Sequence, residues 1–508
     1  MGIPADASPA RAAIGRRSFL RLSLGSVAAV TLAGCGLLGS RDDLNTVGTI
    51  TFDEPLSIPP LLEATSAGGH RVYELVTRSG RSVILDGAET PTWGINGPFL
   101  GPTLRAHRGD TIRIDVRNEL DEATTLHWHG MHLPASADGG PHQTISPGGS
   151  WSPTWTVDQP AATLWYHPHP HGESERHTYR GLAGMFILTD DVEAGLDLPR
   201  DYGVDDIPVI VQDKTFDSRG RFSDGDDQYV GSLGDTVLVN GTANAFFEVT
   251  AEHTRLRLLN ASTARSYAFG FSDGRDFALI ATDGGLLEAP VELSSILLTP
   301  GERAEIVVTM SGTDDTVTLR SYPQDLGVSG GRARGAGADD ELDILLLTTA
   351  TDLAPRPRIP SQLAQLDDIS PTDDTATRTF ELGNDRINGQ QMDMARIDEV
   401  IPVGTTEVWE VVNTHSQPHN FHIHDVQFRV VSIDGQSPPP ELRGRKDTVY
   451  TPPGSRIRLT MRFDDYADPE TPYMYHCHLL RHEDRGMMGQ FVVVEPGQRP
   501  TELSHHHG

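Results

Sequence analysis

The stretch Gly109-Asp110-Thr111-Ile112-Arg113-Ile114-Asp115-Val116-Arg117-Asn118 decides the fold class. Its apolar residues fall at every second position, so Ile112, Ile114 and Val116 share one face of a strand and their charged neighbours take the other. The pattern returns at Ile457, Leu459, Met461 and Phe463. An Asn-Gly turn precedes the first stretch at Asn96-Gly97, and the same order of turn, strand and closing asparagine occurs twice more. The second copy runs from Asn240-Gly241 through Glu252-His253-Thr254-Arg255-Leu256-Arg257-Leu258 to Asn260. The third runs from Asn388-Gly389 through Gly404-Thr405-Thr406-Glu407-Val408-Trp409-Glu410-Val411 to Asn413. Alternating strands with frequent turns predict antiparallel β-sandwiches. The spacing of the copies predicts an all-β chain with domains over residues 50–195, 205–350 and 375–498. Pro-rich, acidic Thr351–Asp374 reads as the linker before the third, and Gly/Arg/Asp-rich Gly327–Asp340 as a mobile loop.

Composition fits this reading. The chain has 508 residues, a length for two to four domains, with 37% apolar and 22% charged residues, enough for real cores. Its 51 glycines and 35 prolines favour turns and short strands over long helices. Acidic residues outnumber basic ones 71 to 41, and a formal net charge of −30 argues against a nucleic-acid partner. The only lysines are Lys214 and Lys446, a compositional bias more than a functional one. The only cysteines, Cys35 and Cys477, cannot form a disulfide framework, and 21 histidines beside one well-placed thiol point to metal chemistry.

Residues 1–40 read as an address. Arg16-Arg17-Ser18-Phe19-Leu20 followed by the mildly apolar Leu22–Ala33 is the twin-arginine export pattern. Leu32-Ala33-Gly34-Cys35 resembles a lipoprotein processing box, with Cys35 as the lipidated residue. The expected location is the periplasm or the outer face of the envelope, with a lipid on Cys35 as the one membrane tether. Ser504-His505-His506-His507-Gly508 reads as a tag remnant or a loose tail.

Four clusters carry the chemistry: His127-x-His129, His167-Pro168-His169, His419-x2-His422-x-His424 and His476-Cys477-His478-x3-His482-x4-Met487. On a strand, residues two apart face the same way and neighbours face oppositely. His127 and His129 can therefore share a site, as can His167 with His169 and His422 with His424. His419 is an odd step from His422, and Cys477 faces away from His476 and His478. Parity alone separates two ligand groups. His419, Cys477, His482 and a distant Met487 are the ligand set of a blue-copper electron-transfer centre. The other eight imidazoles are too many for one ion and suit three, divided two, three and three. The first and third repeats supply half each, so that cluster must lie between domains. The second repeat has the scaffold without the ligands. A single His-x-His is more often a surface or packed pair, but four such motifs in this order are hard to explain that way.

These motifs, over about residues 70–495, resemble a multicopper oxidase of the laccase type. The similarity is to the bacterial three-domain branch that includes cuprous oxidases, spore-coat laccases and bilirubin oxidases. The resemblance implies three consecutive cupredoxin-like Greek-key sandwiches and four copper ions. It assigns the type 1 copper to His419, Cys477 and His482 with Met487 as weak axial ligand, and the type 2 copper to His127 and His422. It assigns the type 3 pair to His129, His167, His169, His424, His476 and His478. Electrons from a donor would enter through an edge of His482 or His419 and pass along Cys477, and dioxygen would be reduced to water. Asp138, in Asp138-Gly139-Gly140-Pro141, and Glu483 resemble the family's proton-relay acids. His132, His142, His171, His177 and His415 are expected at supporting or surface positions.

The resemblance leaves the donor open. The cuprous-oxidase branch usually carries a methionine-rich insert, since soft thioethers select Cu(I), and no methionine falls between Ser311 and Asp340. Three readings compete: a laccase-like oxidase of phenols and related organic donors, an oxidase of Cu(I) or other metal ions, and a non-enzymatic copper-binding envelope protein. Some relatives keep this fold after losing copper. Most three-domain relatives work as monomers, which is the expectation here.

Overall fold

In each copy of the repeat the turn asparagine, Asn96, Asn240 or Asn388, adopts a left-handed backbone with φ of 59°, 51° and 51°, which asparagine tolerates better than most residues. Its side chain then bridges the neighbouring strand. The Oδ1 atoms accept from the N–H of Val76, Ile210 and Glu381, and the amides donate to the carbonyls of Glu74, Pro208 and Thr379. The closing asparagines also repeat one geometry. Asn118, Asn260 and Asn413 are fully buried and accept from the N–H two residues on, at Leu120, Ser262 and His415. Each amide donates to two backbone carbonyls. The sequence repeat is thus a repeat of hydrogen bonds.

The computed structural model describes Gly2 and residues 42–223, 229–312, 314–356 and 358–501. The paired arginines, Cys35 and the terminal histidines lie outside these. Among the described residues, six sheets form three successive pairs. In the first, a sheet built on His70–Val83 and Thr111–Asn118 faces one ordered Leu104–His107, Gly184–Thr189, Ala162–His167, His127–His129. In the second, a six-stranded sheet with Leu342–Ala354 among its inner strands faces a seven-stranded one built on Asp206–Lys214 and His253–Asn260. In the third, Ala376–Gly383, Thr405–Asn413 and Arg456–Phe463 face Met488–Val494, Tyr473–His476 and His419–Ile423. Each pair encloses its own core. Ile112, Ile114 and Val116 meet Trp128 and Phe186 in the first, and Leu459 and Phe463 meet Phe421 and Tyr475 in the third. A further apolar cluster joins the first pair to the second through Trp165, Met185 and Ile187 against Ile210, Leu259 and Ala261.

Two details depart from the sequence expectations. Glu54–Pro55, within the span expected for the first domain, adds a strand to the middle sandwich beside Ala245–Ala251. Gly327–Asp340 is not a loose loop, since it contains the helix Gly331–Ala336. Ala333 and Ala336, three apart and so on one face, are buried in the third core with Leu326, and Gly337 ends the helix in the left-handed conformation. Among the described residues no helix is long and apolar enough to cross a membrane.

Candidate metal centre

Strand pleating places the clustered histidines and Cys477 on alternate faces. On His127–His129 the middle residue, Trp128, belongs to the first core, which leaves both histidines on the outer face. His127 pairs across the sheet with His167, and His422 with His476. In the third sandwich Phe421, Ile423, Tyr473, Tyr475 and Cys477 enter the core, while the rings of their neighbours His422, His476 and His478 meet those of His127, His169 and His129.

Inside that core, the Cys477 sulfur lies 3.6 Å from His419 Nδ1 and 3.5 Å from His482 Nδ1, which are 3.0 Å apart. Cys477 N–H donates to the Met487 carbonyl, and Met487 is fully buried in the same cluster. Asn420 fixes the approach. Its Oδ1 accepts from His478 N–H at 2.6 Å and its amide reaches Thr299 and Pro300 of the middle sandwich.

The other eight histidines meet between the first and third sandwiches. His127 stacks on His424 with centroids 3.9 Å apart, and His129 on His422 at 3.7 Å. His169, His424 and His476 form one group of converging donor atoms. The rings of His129, His167 and His478 sit together at 4.8–5.6 Å. His127 and His422 lie 6.0 Å apart, and His127 also joins groups with His129 and His167 and with His424. The outer nitrogens are held. His127, His167 and His422 turn Nδ1 toward the carbonyls of Asp138, Pro168 and Asp447. Their Nε2 atoms are buried and have no hydrogen-bond partner, as does Nδ1 of His129, whose Nε2 faces Asp447. Unpaired imidazole nitrogens pointed at one another fit metal ions and little else.

Both expected acids touch this cluster. Asp138 is 1% exposed, with Oδ2 at 2.8 Å from His424 Nδ1 and Oδ1 at 3.3 Å from His127 Nδ1. It can approach so closely because Gly139, at φ 78°, lies where a Cβ would strike the Leu126 carbonyl. Glu483 reaches His169 Nδ1 and His476 Nδ1, each at 3.2 Å. His132, His142 and His177 make supporting hydrogen bonds to Asp425, Gln490 and Glu122.

Sequence reasoning missed Asp447 and the middle sandwich's part. Asp447 Oδ1 lies 3.0 Å from His129 Nε2, and its carboxylate takes two bonds from Arg303, at 2.7 and 2.6 Å. Arg303 N–H donates to Asp283, whose other oxygen meets Lys446 at 2.9 Å. Lys446 also meets Glu302 at 3.0 Å. Gly301, at φ 87°, lies where a Cβ would come within 3.1 Å of His129 and His478. The domain without ligands therefore braces them.

Three stretches, residues 77–193, 205–328 and 358–497, each match a family model described as multicopper oxidase. The chain belongs to the multicopper oxidase family. It is 38% identical over 87% of its length to the cell division protein FtsP of Photorhabdus laumondii subsp. laumondii, covering 93% of that protein. It is 37% identical to the multicopper oxidase mco of Staphylococcus aureus, with 84% and 89% of the two chains covered. The crystal structure of a laccase from Pediococcus acidilactici superposes with a TM-score of 0.80 at 36% identity, over 88% of this chain and 95% of that one. The all-β, three-domain cupredoxin-like architecture follows.

Burial keeps these side chains uncharged. Burial pushes the imidazoles of His129, His167, His419, His422, His424 and His478 well below their ordinary pKa, and takes His169 and His482 to about 3. Burial also raises the Cys477 thiol to about 12, so a metal ion bound there would displace its proton. In copper-free protein the depressed imidazoles stay neutral where the unfolded chain takes up protons, from the ordinary histidine value near 6.5 down to about 3. The unfolded state binds more protons across that window, so stability rises with pH and is lost on acidification. Urea midpoints of copper-free protein should fall steadily as pH drops below about 6.5, and a flat profile to pH 5 would contradict the burial argument. Replacing Arg303 by Met leaves Asp447 buried without its cation and should cost about 3–5 kcal/mol in denaturant unfolding.

Proposed function

We propose that this multicopper oxidase is laccase-like, coupling one-electron oxidations of a phenolic or related organic donor to reduction of dioxygen to water. The observation that carries the reading is the position of Cys477, in the third core with His419 and His482, while its bonded neighbours His476 and His478 join the histidines of the first domain. Four copper ions, one type 1, one type 2 and a type 3 pair, would supply the one-electron chemistry and the handling of dioxygen. His419, Cys477 and His482 would hold the type 1 ion, with the Met487 thioether buried in the same cluster. His127 and His422 would hold the type 2 ion. His129, His167, His169, His424, His476 and His478 would hold the type 3 pair.

The chain's own residues do the rest. Cys477 gives a covalent path of one residue in each direction from one ligand group to the other. Asp138 and Glu483 each grip two imidazoles, which orients the rings and keeps a proton-carrying carboxylate at the reduction site. A methionine at 487 favours a low to moderate potential over a high one.

The phenolic reading draws support from the segment over the type 1 ligands. Gly331–Ala336 presents alanines there, and no thioether between Ser311 and Asp340 can capture Cu(I). The metal-ion reading draws on Met392, half-buried with its N–H donating to the carbonyl of Gly486, next to Met487. A non-enzymatic envelope role draws on the similarity to a cell division protein, and the complete ligand set weighs against it.

Oxygen uptake by copper-loaded protein, with Cys477→Ser as blank, separates the three. Fast uptake with dimethoxyphenol and little with stabilised Cu(I) is the expected result. Dominant Cu(I) turnover would move the assignment to a metal-ion oxidase, and uptake no faster than the blank would support the non-enzymatic role. Asp138→Ala should slow turnover by roughly a hundredfold while keeping the blue thiolate band. Full turnover in that variant would remove Asp138 from the proton path.

A further inference from the structure

We infer that Trp128 and the indoles behind it form a second electron path, running from the histidine cluster through the first core to solvent at Trp151, which supplies an electron when the donor fails. The inference goes beyond the laccase-like reading and rests on one part of it, the reduction of dioxygen at the cluster.

Trp128 stands to the first sandwich as Cys477 stands to the third. Each side chain enters a core, and each is bonded on both sides to histidines of the cluster, His127 and His129 for Trp128, His476 and His478 for Cys477. A covalent path of one residue therefore joins the Trp128 indole to the cluster. More indoles lie behind it, placed by the same alternation that decides the fold. Trp151 pairs with Val116 and Trp155 with Ile112, whose side chains face the first core. The Trp128 ring lies 6.3 Å from Trp151, nearly parallel at 13°, and 5.8 Å from Trp155 at 38°. Centroids this close are ring contacts, and electron tunnelling between rings falls steeply with any wider gap. Trp128 and Trp155 are buried, and Trp151 is half-buried. Trp165 stacks on His167 at 4.1 Å, but its other ring contacts are His129 and His478, so it leads back into the cluster.

Hydrogen bonding sets these indoles apart. A buried indole N–H ordinarily finds an acceptor, as Trp409 does in the third core, where Nε1 donates to Glu407 at 3.0 Å. Nε1 of Trp128 and Nε1 of Trp155 are buried with no partner. A phenylalanine would fill the core without that cost. For electron transfer the missing acceptor is useful. A proton leaves only along a hydrogen bond, so an oxidised Trp128 keeps its N–H proton and needs only an electron to be restored. A cation in that dry core is unfavourable, which drives the electron vacancy outward to Trp151, where water is at hand. The step balances. When donor electrons run short, dioxygen is the oxidant and takes one electron from Trp128 through His127 or His129, and no bond breaks. Trp151 gives one electron to Trp128, then loses its N–H proton to water and stands as a neutral radical. A hydrogen-atom donor such as a thiol restores it and becomes a thiyl radical. Without one, Trp151 takes up oxygen and is consumed in place of the ligands.

The test uses copper-loaded full-length protein. Turned over in air with the donor limiting, it should add oxygen to Trp151, read by peptide mass spectrometry, ahead of Trp93, which is also half-buried but whose ring meets His177 instead. Trp151→Phe should leave the blue band and the rate at saturating donor unchanged while cutting severalfold the number of turnovers before inactivation. Oxidation of Trp93 as fast as Trp151, or an unchanged lifetime in Trp151→Phe, overturns the path. A second measurement needs no dioxygen. In reduced, oxygen-free Cys477→Ser protein, a photogenerated ruthenium(III) oxidant in solution should produce an indole radical that decays as the cluster refills it. Decay no faster than in copper-free protein overturns the path. Wild-type protein that takes up no oxygen with any donor overturns the reduction of dioxygen, and the decay in Cys477→Ser then decides the path by itself.

Discussion

Cys477 and its two bonded neighbours face opposite sides of one sheet, and the functional architecture depends on that. The pleat sends Tyr473, Tyr475 and Cys477 into the third core with Phe421 and Met487, so the thiol sits in a dry apolar place. The same pleat puts His476 and His478 on the other side, where His422 and His424 of the same sandwich supply only part of the cluster. A second surface of histidines must come to meet them, and the first sandwich supplies it from His127–His129 and the end of Ala162–His167. The two ligand groups are then separated by the thickness of one strand. No tuning of domain positions could make that separation shorter, and no drift of domains could lengthen the covalent part of it.

What must be held is the other contact, between histidines on separate sandwiches. Stacked pairs such as His129 and His422 give little cohesion by themselves once both rings are neutral. The middle sandwich holds them. Arg303 grips Asp447 beside His129 and also donates to the Thr163 carbonyl on the first sandwich. Asp283, Lys446 and Glu302 continue the ionic chain, and every member is nearly or fully buried. Such a network is costly to desolvate and stabilises only when complete. Here it fixes the relative placement of three sandwiches more sharply than an apolar face could, which accounts for a domain that carries no ligand.

The sequence made the ligands legible because their signal is local. His-x-His spacing, the parity of Cys477 and the alternation of Ile112, Ile114 and Val116 all lie within a few residues. Asp447 and Arg303 were illegible for the opposite reason. Each sits in a run of ordinary charges, Arg445-Lys446-Asp447 and Gly301-Glu302-Arg303, and their meaning lies in partners more than a hundred residues away. Lys446 shows how composition misleads, since a residue set aside as compositional bias is a buried bridge, and Lys214 is fully buried too. The helix Gly331–Ala336 hid behind glycines and arginines because only Ala333 and Ala336 face the core. His415 stands in the kind of supporting position expected of it, half-buried and stacked on His419.

The two kinds of buried polar group also answer differently to the loss of metal. The strut of Arg303, Asp447, Asp283, Lys446 and Glu302 is internally paired, so it stands with or without copper. The inward nitrogens of His127, His167 and His422 are not, and each unpaired buried group costs about 1–3 kcal/mol. A copper-free chain should therefore keep its three sandwiches in place and carry its strain at the cluster alone. That division is what a metal-filled enzyme needs. The frame must survive long enough for ions to arrive, and the ligands must be uncomfortable enough without them to bind tightly when they do.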